Sequence, residues 1–130
     1  MASIVVQDRT ANGKTVGSIE LVDLPDRCTL RDLIRTRVRE EVARYNLKPA
    51  GIFAGFVQPD GGSPTVGGYA MAKPRRIDWE RQADIAIKAF GRNGFFVIAD
   101  GKQLTELDEE LPLTATSDIG FIKLTPLVGG

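Results

Sequence analysis

Few residues in this chain are equipped for chemistry. Histidine is absent from all 130 residues, which removes the commonest general base and the commonest metal ligand. A Cys-His or Ser-His nucleophile pair is therefore impossible, and a zinc site would be hard to assemble. The single cysteine, Cys28, cannot close an internal disulfide and fits a reducing compartment. It stands just before a predicted helix N-terminus, where a thiolate is favoured. With no histidine to assist it, a catalytic role is not expected. The run Leu124-Thr125-Pro126-Leu127-Val128-Gly129-Gly130 ends on two glycines. A carboxylate on such a glycine is a poor electrophile until activated. Glycine at 129 and 130 lets another backbone approach closely and adopts dihedrals closed to other residues. Paired glycines also arise by chance in a chain holding 14 of them, so the segments that lead into the tail must carry the argument.

Those segments belong to one domain spanning 1–130, long enough to bury a useful core. Lys+Arg and Asp+Glu are equal at 17 each, so net charge steers the chain toward neither nucleic acid nor membrane. No apolar run approaches a spanning length. The start, Met1 to Asp8, lacks the basic residues and long apolar stretch of a secretory signal, and a cytoplasmic protein is expected.

Ser3 to Arg9 is predicted as a strand, Asn12-Gly13 as a type I′ turn, and Thr15 to Asp23 as the returning strand, with a bulge at Gly17. Thr29 is an N-cap with Asp32 three residues on. The helix it opens is predicted from Leu30 to Tyr45. Leu30, Leu33, Ile34, Val38, Val42 and Tyr45 lie on one apolar stripe, with Arg31, Arg35, Arg39 and Glu40 opposite. Asn46 is expected to end the helix in a left-handed conformation. Residues 50–76 read as irregular, with Gly51–Val57 a candidate added strand and Pro59–Pro64 a turn or loop. The glycines there lack the Gly-Lys-Ser/Thr ending of a phosphate loop. Lys73-Pro74-Arg75-Arg76 reads as a solvated loop, or else as a contact for an acidic partner. Asp78 caps a second helix to Phe90, closed by Gly91 and Gly94. Phe95 to Ala99 is a strand apolar on both faces, Asp100-Gly101 a turn, and Leu104 to Leu113 an acidic loop. Ile119 to Thr125 is the last strand.

This order is strand, tight turn, strand, helix, interruption, strand, loop, strand, tail. It resembles the β-grasp fold of ubiquitin, an α+β fold in which a mixed sheet wraps one long helix, and the resemblance implies that the first and last strands lie side by side and parallel. Here the fold would carry an inserted loop and second helix over about 48–91 and a flexible tail over 126–130. The local match is best from Phe96 onward. Val97-Ile98-Ala99-Asp100-Gly101-Lys102-Gln103-Leu104 is similar to ubiquitin's strand and turn containing Gly-Lys-Gln-Leu, and Thr114 to Gly130 to its final strand and Gly-Gly tail. The whole resembles the bacterial ubiquitin-like modifiers encoded beside conjugation enzymes and associated with antiviral defence.

That resemblance implies a substrate of enzymes and not an enzyme, with no catalytic residue, metal or cofactor of its own, and it implies a sequence of reactions. ATP converts the Gly130 carboxylate to an acyl-adenylate, and the acyl group passes to an enzyme nucleophile and then to an amine of a target protein, forming an isopeptide bond. The implied partners are an adenylating activating enzyme, a conjugating enzyme, a deconjugating peptidase and the target proteins. Gly129 would give access, and Pro126, Leu127 and Val128 would seat in the activating enzyme. Pro126 and Val128 stand where ubiquitin has arginines, which implies a dedicated activating enzyme. Apolar residues on both faces of the last strands imply a partner patch, for which Phe121, Ile122, Leu124 and Lys102 are the candidates. Two other readings remain open: a sulfur carrier forming a C-terminal thiocarboxylate, and a β-grasp protein-interaction module.

Overall fold

The computed structural model describes residues 2–49, 51–65, 67–72, 75–116 and 118–123. The fold is α+β, with a mixed five-stranded sheet and two helices. The chain divides into two compact units, Met1–Leu33 with Phe90–Gly130, and Ile34–Ala89. The division falls inside the first helix and not near residue 48, where the insertion was expected to begin.

The first unit holds the large sheet. Strands β1 (Ala2–Arg9) and β2 (Thr15–Leu24) form the predicted hairpin. Its turn differs from the expected type I′. Only Gly13 has positive φ, at 88°, and Thr10 N–H reaches the Lys14 carbonyl at 2.8 Å. Ala11 and Asn12 therefore turn in the ordinary right-handed sense, and one left-handed glycine closes a three-residue loop. Gly17 pairs with Asp8 but Thr15 pairs with Arg9, so the register slips by one residue at the expected bulge.

Strand β3 (Arg27–Thr29) leads into helix α1 (Leu30–Leu47). The Thr29 hydroxyl accepts the Asp32 amide hydrogen at 3.1 Å, the expected N-cap. In the first unit, Leu30 and Arg31 donate their amide hydrogens to the Glu109 and Leu107 carbonyls, both at 2.9 Å. These long-range bonds satisfy donors that every helix start leaves orphaned.

The second unit contains most of α1 and a sheet that the sequence reading treated as irregular. Strands β4 (Ile52–Phe53), β5 (Gly62–Thr65) and β6 (Gly68–Met71) pair in the order β4-β6-β5. The Pro59–Pro64 segment thus runs into a strand. Helix α2 (Trp79–Gly91) lies mostly in this unit. Val38, Val42 and Tyr45 of the α1 stripe are buried here, as are Phe53, Phe56, Tyr69 and Ala83. Asn46 stays helical. Its side chain accepts the Ile77 amide hydrogen and donates to the Ile77 carbonyl, each at 2.8 Å, tying the approach to α2 onto the end of α1. Asp78 caps α2 through the Glu80 amide at 3.1 Å.

Beyond α2 the chain returns to the first unit with strands β7 (Phe95–Ala99), β8 (Lys102–Leu104), β9 (Glu110–Pro112) and β10 (Ile119–Lys123). The large sheet has the order β2-β1-β10-β7-β8. β10 lies parallel to β1, with Val6 beside Ile119, and antiparallel to β7. Asp100 and Gly101, at φ 48° and 83°, make the tight β7–β8 turn. This is where both central residues are left-handed, as a type I′ turn requires. The expected acidic loop between Leu104 and Leu113 is partly strand, because β9 pairs with β3. The core of this unit includes Val6, Ile19, Leu21, Leu24, Leu30, Leu33, Val97, Leu104, Leu111, Ile119 and Phe121.

Candidate functional site

The last strand is the element that delivers the tail, and its setting follows from its sequence. Ile119 and Phe121 alternate inward from Gly120 and Ile122. Phe121 is 1% exposed and stacks on Phe95 with ring centroids 5.9 Å apart. Phe121 therefore does not belong to a partner surface, a correction to the expected patch. The period of two that places Ile122 on the outer face sends its neighbour into the core. Ile122 is half-buried on the outer face, opposite Phe96. Lys102 is exposed, but it pairs with Ala99 on the Phe121 side of the sheet and reaches Glu109 at 3.0 Å. The structure thus does not bring Phe121, Ile122 and Lys102 onto one face. Leu124 lies outside the described residues.

The start of β10 is held by a reciprocal pair of bonds. Asp100 donates its amide hydrogen to the Asp118 carbonyl at 2.7 Å. Asp118 donates its own to Asp100 Oδ1 at 2.8 Å. Arg9, on β1, adds an ion pair to the Asp118 carboxylate and donates to Gln7 Oε1 at 2.8 Å. Its side chain lies across Gly120, where an added Cβ would meet the Arg9 guanidinium carbon at 3.0 Å. Glycine at 120 is what lets the arginine lie flat over the strand. The strand is therefore paired on both sides as far as Ile122 and on the β7 side to Lys123. The exit point at Lys123 is in the middle of the sheet, not at an edge. Pro126, Leu127, Val128, Gly129 and Gly130, and with them the expected flexible tail over 126–130, lie outside the described residues.

Cys28 sits in β3, opposite Leu111, and is 3% exposed. Burial, and then the Asp32 carboxylate, push its thiol up to about 11. This reverses the expectation of a favoured thiolate, because the desolvation of a buried sulfur outweighs its place before a helix. Among the described residues, no group of three or more His, Cys, Asp or Glu side chains comes together to hold a metal ion. No described helix is long and apolar enough to cross a membrane.

The sequence reading missed a buried ion pair in the second unit. Arg37 donates from Nε to Glu41 Oε2 at 3.2 Å, with both side chains at 5% exposure or less. The same oxygen accepts the Phe56 amide hydrogen at 2.9 Å, and the Arg37 guanidinium lies 4.7 Å from the Phe56 ring centroid. The signal was present: Arg37 and Glu41 sit beside Val38 and Val42, inside the arc of the apolar stripe. In α2, Gln82 was also missed. It is buried and donates to the Val57 carbonyl at 2.9 Å. Compared with known proteins, the chain matches no family model, no curated protein and no solved structure.

Proposed function

We propose that this protein is a ubiquitin-like modifier with a β-grasp fold, whose Gly130 carboxylate is activated by an ATP-dependent adenylating enzyme and transferred to a target amine. The observation that carries this reading is the position of β10, parallel to β1 at the centre of the order β2-β1-β10-β7-β8. The first and last strands of the chain are thus side by side and parallel, the relation the β-grasp resemblance implies. A tail leaving a central strand follows a segment paired on both flanks as far as Ile122. It can then be threaded into another protein's active site without disturbing the sheet.

The residue types of the tail support the same reading. Gly129 and Gly130 put no side chain near the reacting carbon, and Leu127 and Val128 supply an apolar anchor before it. Pro126 removes a backbone donor at the point where pairing should end. Its one thiol is buried and held protonated, so Cys28 does not compete with the tail as a nucleophile. In this proposal the partners are the adenylating enzyme, a conjugating enzyme, a deconjugating peptidase and the modified targets, in a cytoplasmic bacterial system of the antiviral type.

The test is ATP–pyrophosphate exchange by an adenylating enzyme encoded by a neighbouring gene. Exchange that depends on this chain supports the proposal. Absence of exchange with an enzyme that is active on another modifier contradicts it.

A further inference from the structure

The sequence leaves the basic run Lys73-Pro74-Arg75-Arg76 open between a solvated loop and a contact for an acidic partner. Lys73 and Pro74 lie outside the described residues. Arg75 and Arg76 are exposed, and the bonds around Asn46 decide what they stand beside. The Asn46 side chain holds the Ile77 amide and carbonyl, both at 2.8 Å. Arg76 Nη1 reaches the Asn46 carbonyl at 3.5 Å. The end of the run is thereby pinned to the C-terminal end of α1.

Asn46 shares a helix face with two further arginines. Arg35, Arg39 and Asn46 fall within an arc of about 40° on α1. From Ile77 the chain runs back along that face, because Trp79 is in reach of both arginines. Their guanidinium carbons lie 5.2 and 5.9 Å from the Trp79 ring centroid. Arg35, Arg39 and Arg76 therefore form one row along α1 with the indole beside it, all within the unit Ile34–Ala89. From Arg35 to Asn46 the row is about 16 Å long, which about five residues of extended chain would cover.

The row is not neutralised by its own neighbours. Arg39 is exposed, with no carboxylate in ion-pair reach among the described residues. Arg35 reaches Asp84 only at 3.8 Å. The Asp78 carboxylate accepts the Glu80 amide hydrogen. Asp32, one turn before Arg35 on the same helix, bounds the row at its other end. A guanidinium held over an aromatic ring keeps its N–H edges for bidentate binding of a carboxylate. Tryptophan and arginine are also the residue types that dominate binding energy at interfaces.

We propose that the row Arg35, Arg39 and Arg76, with Trp79 beside it, binds an extended acidic segment of a partner protein. The segment's carboxylates meet the guanidinium forks, and its methylene groups lie against the indole. Nucleic acid is the less favoured occupant, because the indole that would stack on a base already lies against two guanidinium groups. This inference rests on neither the tail nor the proposed conjugation.

The test is fluorescence anisotropy of a labelled oligoglutamate peptide titrated with the full chain. Binding should be measurable at about 0.05 M salt and weaken as salt is raised to about 0.5 M, as exposed charges require. Trp79, the single tryptophan, should shift its emission as the peptide binds. Arg39→Glu with Arg76→Glu should weaken binding by roughly tenfold or more, with unchanged circular dichroism. Lys14→Glu with Arg92→Glu makes the same change in net charge at exposed positions of the other unit, and should retain binding. Arg39→Lys with Arg76→Lys keeps the charge but loses the planar fork, and should weaken binding by roughly two- to threefold. No binding by the parent chain overturns the proposal, as does an equal loss in the Lys14 and Arg92 variant, which would reduce the effect to net charge. Tighter binding of a single-stranded oligonucleotide of equal charge, lost in the Arg39 and Arg76 charge reversal, would assign the row to nucleic acid instead.

Discussion

Glu41 and Phe56 are joined by a carboxylate-to-amide hydrogen bond of 2.9 Å, fifteen residues apart in sequence, with Arg37 held against both. The helix thereby reaches the loop after β4 and satisfies a buried backbone donor that no strand pairs. Arg37→Met would leave the Glu41 charge buried without this cation. It should destabilise by about 3–5 kcal/mol, the usual cost of removing one partner from a buried pair. Arg37→Met combined with Glu41→Leu should cost less than the sum of the two single changes. The remaining loss, about 1–3 kcal/mol, is that of the hydrogen bond the buried Phe56 amide makes to Glu41. Urea unfolding of the three variants measures the coupling, and strict additivity would show that the pair does not act as a unit.

The elements that the sequence made legible are those with a sustained signal. The β1–β2 hairpin carries the turn signal Asn12-Gly13, α1 and α2 show a period of 3.6, and β7 and β10 stand out as apolar runs of five residues. The strands that escaped notice are short. Cys28 pairs with Leu111 across 83 residues of sequence, and a three-residue strand carries no period to announce it. Asn12-Gly13 and Asp100-Gly101 look alike as turn signals, yet only the second takes two left-handed residues. The difference lies in loop length and in the Asp118 amide that holds the Asp100 side chain. For the candidate site, residue types in the tail were readable from Leu124 to Gly130. The neighbour of the strand that delivers the tail was legible only through the β-grasp resemblance, which sets the first and last strands side by side and parallel, as β1 and β10 are; no local period announces a pairing that joins the two ends of the chain.

Cys28 should behave as a structural thiol. Its ordinary value of 9.0 rises to about 11 in the folded protein. Between those values the folded state holds a proton that the unfolded state has lost. The thiol's contribution to stability is therefore complete below pH 9 and is lost as pH climbs toward 11. Alkylation by iodoacetamide near neutral pH should be slow in the native protein and rapid in denaturant. Cys28→Ser should leave transfer of the tail intact, and loss of transfer in a folded Ser variant would show that the thiol takes part.

Phe121 and Ile122 are adjacent but should respond very differently. Phe121→Ala removes a stacked core ring and should cost about 3–5 kcal/mol. Ile122→Lys alters the outer face and should cost roughly 1 kcal/mol. Thermal unfolding of the two variants decides the assignment of the two faces, and equal losses would place both side chains in the core.

Gly68 has φ of 146°, and a Cβ there would press into the Phe53 carbonyl oxygen and lie 3.0 Å from the carbonyl carbon. Gly68→Ala should therefore cost roughly 1–3 kcal/mol in backbone strain, with steric repulsion in addition. Gly13→Ala meets nothing within 4 Å, so its cost is that of its dihedral alone. The ranking of the two in chemical denaturation tests the close approach of β6 to β4.

The central claim is that Gly130 supplies the reacting carboxylate. The direct measurement is intact mass spectrometry of the adenylating enzyme after incubation with ATP and either the full chain or a chain lacking Gly130. The account predicts a covalent adduct of enzyme and full chain, cleaved by added thiol through exchange of the thioester if the enzyme nucleophile is a cysteine, and none with the shortened chain. Thermal stability should be equal for the two chains. A product in which one carboxylate oxygen has been replaced by sulfur would make the protein a sulfur carrier. An adduct that persists without Gly130 would contradict the account.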